Sequence, residues 1–148
     1  MTTNPKLESW GIALLRVVVG IVFLAHGSQK LFVYGIHNVS GMFAHMGIPA
    51  FLATVVALVE FAGGLALVLG LGTRIAAALI AIDMLGAIAL VHAKNGFFMP
   101  NGLEFPMTLC AANIALVLTG PGALAIDCLF GRNDRRSDIA TSNLRRAA

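Results

Sequence analysis

Residues 14–32 read LLRVVVGIVFLAHGSQKLF, a long apolar run interrupted only by Arg16, His26, Gln29 and Lys30 among its strongly polar positions. At about 1.5 Å of rise per residue, the stretch from Trp10 to Phe32 is long enough to cross a hydrocarbon layer of roughly 30 Å with some tilt. Trp10 stands where an interfacial aromatic is expected. An Arg, Lys or Asp at bilayer depth costs about 2.5–3.5 kcal/mol on insertion scales, so such a side chain turns to a partner or a polar cavity. With a 100° step per residue, Arg16, Gly20, Phe23, Gly27 and Lys30 fall within about 40° of one line. This helix therefore has a small, polar face that belongs inside.

Three more runs share the pattern. FLATVVALVEFAGGLALVLGLG follows Pro49 and carries Glu60 near its middle. IAAALIAIDMLGAIALVHA carries Asp83 and ends at His92, and MTLCAANIALVLTG follows Pro106. Spans of about 10–32, 50–71, 75–93 and 106–119 account for most of residues 1–131. With 58% hydrophobic residues, 11% charged and sixteen glycines, and a mean hydropathy of +0.87, the composition is that of an integral membrane protein. The fold class is an all-α membrane protein, a four-helix transmembrane bundle. In the first outward loop, Val39, Met42, Phe43 and Met46 recur at helical spacing after the capping-type Asn38, which predicts a short interfacial helix. ALAIDCLFGR reads as one amphipathic helix, and 132–148 as a polar, basic, disordered tail.

The net charge of +3 sits mainly in Arg132, Arg135, Arg136, Arg145 and Arg146, beyond the last span. A cytoplasmic tail explains it better than nucleic acid does. Lys6, Arg74 and these arginines on one side, against Lys30 and Lys94 on the other, predict a multi-pass protein with both termini cytoplasmic. Arg16 in the body of the first span, with no A-x-A-like site after it, argues against a removed signal peptide. Cys110 and Cys128 have no C-x-x-C or metal-type spacing and read as small apolar side chains.

By depth, the polar residues form two layers. Arg16 in the inner third and Glu60 and Asp83 near the midplane form an intramembrane charge network. Arg16 is a natural partner for Asp83 or Glu60, and a structural pairing and a proton-carrying or substrate role both remain open. The outer layer comprises His26, Gln29, Lys30 and His92, with Asn95 and Glu104 available from the second outward loop. Such donors, with histidine able to change charge near neutral pH, suit a quinone head group and its protons. They equally suit the backbone ends of two helices. Two histidines also invite haem or a metal, but His92 lies about 180° around its helix from Asp83, so both face the centre only if that helix end unwinds. No metal site is expected and haem is disfavoured. Nor is an intrinsic cofactor expected, since there is no flavin fingerprint, haem-attachment motif or C-x-x-C.

HG-x-x-K-L (His26, Gly27, Lys30, Leu31), the Glu before paired glycines (Glu60, Gly63, Gly64) and NGFF-x-P-x-G-x-E-x-P (Asn95, Gly96, Phe97, Phe98, Pro100, Gly102, Glu104, Pro106) occur in order, followed by TGPGALAID. Together they resemble the DoxX family of small bacterial membrane proteins over about residues 10–130. The sequence departs from the pattern at Leu103, where a second glycine is often found. The resemblance implies a four-helix membrane bundle in the bacterial cytoplasmic membrane. It also implies association with quinone-linked oxidation, as in the small membrane subunit of an archaeal thiosulfate:quinone oxidoreductase, and, separately, with a membrane complex like the mycobacterial one that contains a superoxide dismutase and a sulfurtransferase. Two functions follow as expectations. One is a redox-associated subunit that binds a quinone or small aromatic ligand near the outer face; the other is a non-catalytic scaffold for a soluble redox partner. A small transporter fits less well without an inverted repeat. Glycine-rich faces on the second and third spans permit a homo-oligomer.

Overall fold

The computed structural model describes residues 4–98 and 102–128, which contain helices and turns and no strand. Helix α1, Pro5–Ser28, starts where the Asn4 side chain accepts from the Lys6 N–H at 3.1 Å, with proline in its first turn. It continues as a π-helical turn, Gln29–Val33. Helix α2 is Ile36–His45, α3 is Leu52–Leu69 and α4 is Thr73–Ala87. A second π turn, Ile88–His92, and a 3-10 turn, Ala93–Asn95, extend α4, and α5 is Glu104–Thr119.

The segments Pro5–Val33, Leu52–Leu69 and Thr73–Asn95 are each long and apolar enough to cross a membrane, and Glu104–Thr119 is a shorter apolar helix. Their outer faces carry Leu14, Ile75, Ile82 and Leu118, each about two-thirds exposed or more. Exposed apolar side chains on every long helix suit a lipid surrounding. The chain is a membrane protein.

Each helix buries a stripe. Arg16, Gly20, Phe23 and Gly27 of α1 face inward, as their spacing predicts, and Val19 is buried beside them. They meet Ala57, Glu60, Gly64 and Leu67 of α3. A Cβ on Gly27 would collide with the Phe61 backbone, and one on Gly64 with Leu24, so these glycines set how closely α1 and α3 approach. Helix α4 turns Ala77, Ile80, Ala81 and Met84 toward Leu109, Cys110 and Leu116 of α5. The Cys110 thiol also points to the Ala81 carbonyl at 3.8 Å.

Helix α2 begins two residues before the expected cap. Gly35, at φ +76°, turns the chain, and Asn38 lies in the first turn with its amide donating to Tyr34 O at 2.8 Å. The helix expected from Ala123 does not start there: residues 121–125 are irregular and lie against the other helices. Residues 132–148 lie outside the described residues.

Candidate ligand-binding site

The end of the helix pack that holds His26, Lys30 and His92 encloses a cavity of about 520 Å³. Its walls are chiefly apolar, with Phe23, Phe43, Met46, Leu52, Met84 and Phe105 supplied by five helices and their connections. Among the described residues, five polar side chains border it: His26, Lys30, Glu60, Asp83 and His92. The volume and the ratio of apolar wall to converging polar groups are those of a small-molecule site.

Lys30 is half of an ion pair. Its Nζ donates to Glu60 Oε2, with 6% of the Glu60 side chain and 22% of the Lys30 side chain exposed. The sequence reading put Lys30 in an outer layer and Glu60 in an inner one. The pairing joins the layers, because a lysine stem several ångströms long reaches along the helix and the π turn at 29–33 lets it face α3. The Phe32 ring packs edge-on against Phe61 at 5.7 Å and fastens that turn to α3.

Asp83 and His92 border the same cavity, which corrects their expected placement on opposite sides of α4. Residues in the π turn Ile88–His92 advance by a smaller angle than in an α-helix, so the helix loses phase between the two positions. Asp83 lies within electrostatic reach of Glu60 and Lys30. Its Oδ2 is buried and has no hydrogen-bond partner. His26, at the exposed rim, stands 6.4 Å from the Phe105 ring, centroid to centroid.

Gln29, Asn95 and Glu104 are not among the described residues that border the cavity. Gln29 is exposed within the π turn, and its carbonyl accepts from the Tyr34 N–H at 2.9 Å. The Asn95 amide donates to Val91 O at 3.2 Å. Glu104 opens α5, its N–H bonded to Phe97 O at 2.9 Å, which with Leu103 N–H to Gly96 O at 3.0 Å closes the loop before α5.

Arg16 does not join Glu60 or Asp83. Fully buried, among the described residues it donates only to backbone carbonyls: Nε to Pro121 at 2.8 Å, one terminal nitrogen to Leu67 and to Val68 (3.1 Å), the other to Ala123 (3.2 Å) and Leu124 (3.1 Å). At the end of α3 the Leu67 carbonyl already accepts from the Gly70 N–H at 3.1 Å, and Arg16 adds a second donor there, one to Val68 and three to the irregular 121–124 segment. A planar guanidinium with five N–H groups satisfies both at once.

Asp127 completes this second end and was not foreseen. Its carboxylate accepts from the N–H groups of Gly72 (2.7 Å) and Thr73 (3.0 Å) and so caps α4 from far along the chain. Burial alone would raise the Asp127 carboxyl, but the bonds from Thr73 and Gly72 and the nearby Arg16 charge hold it below the ordinary carboxylate range. Only the recurrence of TGPGALAID in the resemblance hinted that this segment matters.

Among the described residues, no group of three or more His, Cys, Asp or Glu side chains could hold a metal ion. No solved structure matches the chain. CatD of Bacillus subtilis, which carries the provisional name of an oxidoreductase, is 35% identical over 88% of this chain and 94% of its own. The inner membrane protein YqjF of Escherichia coli is 32% identical over 86% of this chain and 97% of its own. An uncharacterized membrane protein of Mycobacterium tuberculosis is 35% identical over 78% of each. The model of the DoxX family matches residues 11–93. With more than half of its length matched by the family model, and relatives above 30% identity covered over more than three-quarters of their own length, the chain belongs to the DoxX family.

Proposed function

We propose that the chain is a four-span protein of the bacterial cytoplasmic membrane, both termini cytoplasmic, that holds a quinone-type or other small aromatic ligand near the outer face as a subunit in redox chemistry. The reading rests on one observation: a largely apolar chamber of about 520 Å³ into which Lys30, Glu60, Asp83, His26 and His92 converge. At sixteen residues α5 rises about 24 Å, and its packing on α4 supports its being the fourth span. Helix α2, with Phe43 and Met46 on the chamber, serves as an interfacial cover.

In this reading His26 and Lys30 donate to the ligand's oxygen atoms, while Glu60 and Asp83 handle charge or protons. The electron carrier belongs to a soluble partner. The provisional name of CatD supports the redox assignment. Binding of a soluble quinone analogue to purified protein, wild type against His26→Ala, tests it. The variant is expected to bind more weakly; equal affinity removes His26 from the role, and no binding to either removes the ligand reading.

A second reading, a non-catalytic assembly partner, draws on Arg16. Fully buried, Arg16 donates to backbone carbonyls and tethers residues 121–124, next in sequence to the basic tail that would recruit a soluble protein. A pull-down on the full chain that recovers no stoichiometric partner removes it.

A further inference from the structure

The chamber's polar groups are unequally supplied with partners. Lys30 and Glu60 are paired with each other. Asp83 Oδ2 is buried without a partner, although Asp83 borders the same cavity. A buried carboxyl oxygen left without a hydrogen bond is destabilising, and the cavity that Asp83 borders is the space from which a ligand would bring a partner to this carboxyl group as its side chain turns. The chemistry of the missing group is restricted. A carboxylate only accepts, whereas a carboxylic acid also donates. A ligand hydroxyl matches both forms, because it donates to the first and accepts from the second. A ligand carbonyl matches only the acid and faces a carboxylate with two lone-pair dipoles opposed. The rest of the chamber favours a flat, apolar body: Phe23, Phe43 and Phe105 offer ring edges and faces, and Met46 and Met84 offer polarisable sulfur.

We infer that the chamber selects the hydroxyl-bearing form of an aromatic ligand, a hydroquinone or substituted phenol, over the corresponding carbonyl form, with Asp83 as the hydroxyl's partner. This rests on the ligand reading above and sharpens it: Asp83 is the specificity-determining residue, and the Lys30–Glu60 pair holds the neighbouring charge in place.

The test uses the full chain in lipid nanodiscs under anaerobic conditions with three probes that share one tetramethylated ring: tetramethylhydroquinone, tetramethylquinone of nearly equal shape, and the bulkier dimethyl ether, whose steric cost is read from its binding to Asp83→Leu. Wild type is expected to bind the hydroquinone at least tenfold more tightly than the ether, and more tightly than the quinone. Asp83→Leu is expected to remove that preference while keeping ether binding within a few-fold. Asp83→Asn, which keeps the shape and one acceptor, is expected to fall between them. If wild type binds all three probes equally, the selectivity is overturned while the chamber survives as a ligand site. A hydroquinone preference that persists in Asp83→Leu and Asp83→Asn, each folded by circular dichroism, overturns the assignment to Asp83. Should none of the probes bind wild type, the proposed function itself fails and the inference with it.

Discussion

Replacement of Lys30 by methionine is the perturbation whose cost the structure constrains best. The partner carboxylate is nearly dry, with 6% of the Glu60 side chain exposed, and it accepts from the Lys30 ammonium in a chamber of mostly apolar walls. Removing one member of a buried pair costs about 3–5 kcal/mol, because the other charge stays behind unpaired. The 22% exposure of the Lys30 side chain admits some solvent screening and moves the expectation to the lower end, about 3 kcal/mol, or roughly a hundredfold in the folding equilibrium. Glu60→Gln costs less, about 1–2 kcal/mol, since the stranded ammonium can swing toward water. The double variant leaves no unpaired charge, so its cost is expected to fall short of the sum of the two single costs by about 2 kcal/mol or more. The assay is reversible unfolding in mixed micelles, followed by helical circular dichroism, for wild type, both single variants and the double. Single costs that add to the double within about 0.5 kcal/mol would refute the argument, because they would mean the two charges are solvated separately.

Three further perturbations probe the other parts of the design. Arg16→Lys keeps the charge but cannot reach five carbonyls with one ammonium, so amide exchange at Ala123 and Ile126 is expected to rise nearly as much as in Arg16→Met; full protection in the lysine variant would show that charge alone suffices. Gly64→Ala drives a methyl into the Leu24 backbone and is expected to cost at least about 3 kcal/mol, whereas Gly41→Ala, with open space around it, should stay within about 0.5 kcal/mol; equal unfolding midpoints would remove close α1–α3 approach as a requirement. Because the Asp127 carboxyl is held below its ordinary range, its contribution is present at neutral pH and is lost as pH falls through that depressed value. Protection factors at Gly72 and Thr73, each taken against the intrinsic exchange rate at the same pH, should therefore fall in acid for wild type, and Asp127→Asn should flatten that fall.

Hydropathy and periodicity made the helices and the buried stripe of α1 legible, because both are properties of a one-dimensional pattern. Arg16, Gly20, Phe23 and Gly27 fall on one face whatever their neighbours are. The partners of those residues were another matter. Counting 1.5 Å per residue along ideal helices assigned Lys30 and Glu60 to different depths, and a flexible stem with a π turn cancelled the difference. The same assumption put His92 opposite Asp83 until the π turn at 88–92 changed the phase. Arg16 was paired by charge with Glu60 or Asp83, yet it is held by carbonyls, which every residue carries and no sequence pattern marks. Asp127 was overlooked because a cap that reaches helix α4 from fifty-four residues away in sequence has no local signature.

The order in which a ribosome delivers the chain gives the Arg16 cluster a biosynthetic meaning. Pro121, whose carbonyl accepts from Arg16, lies 105 residues later in the sequence. At typical rates of synthesis the first helix is made about 5–20 s before that carbonyl exists. Until then the guanidinium has at most the α3 carbonyls of Leu67 and Val68, and its remaining N–H groups need water, lipid phosphate or a protein-lined channel. Final seating of α1 is then expected to wait for residues 121–124, so a nascent chain truncated before residue 121 should remain bound to the insertion machinery.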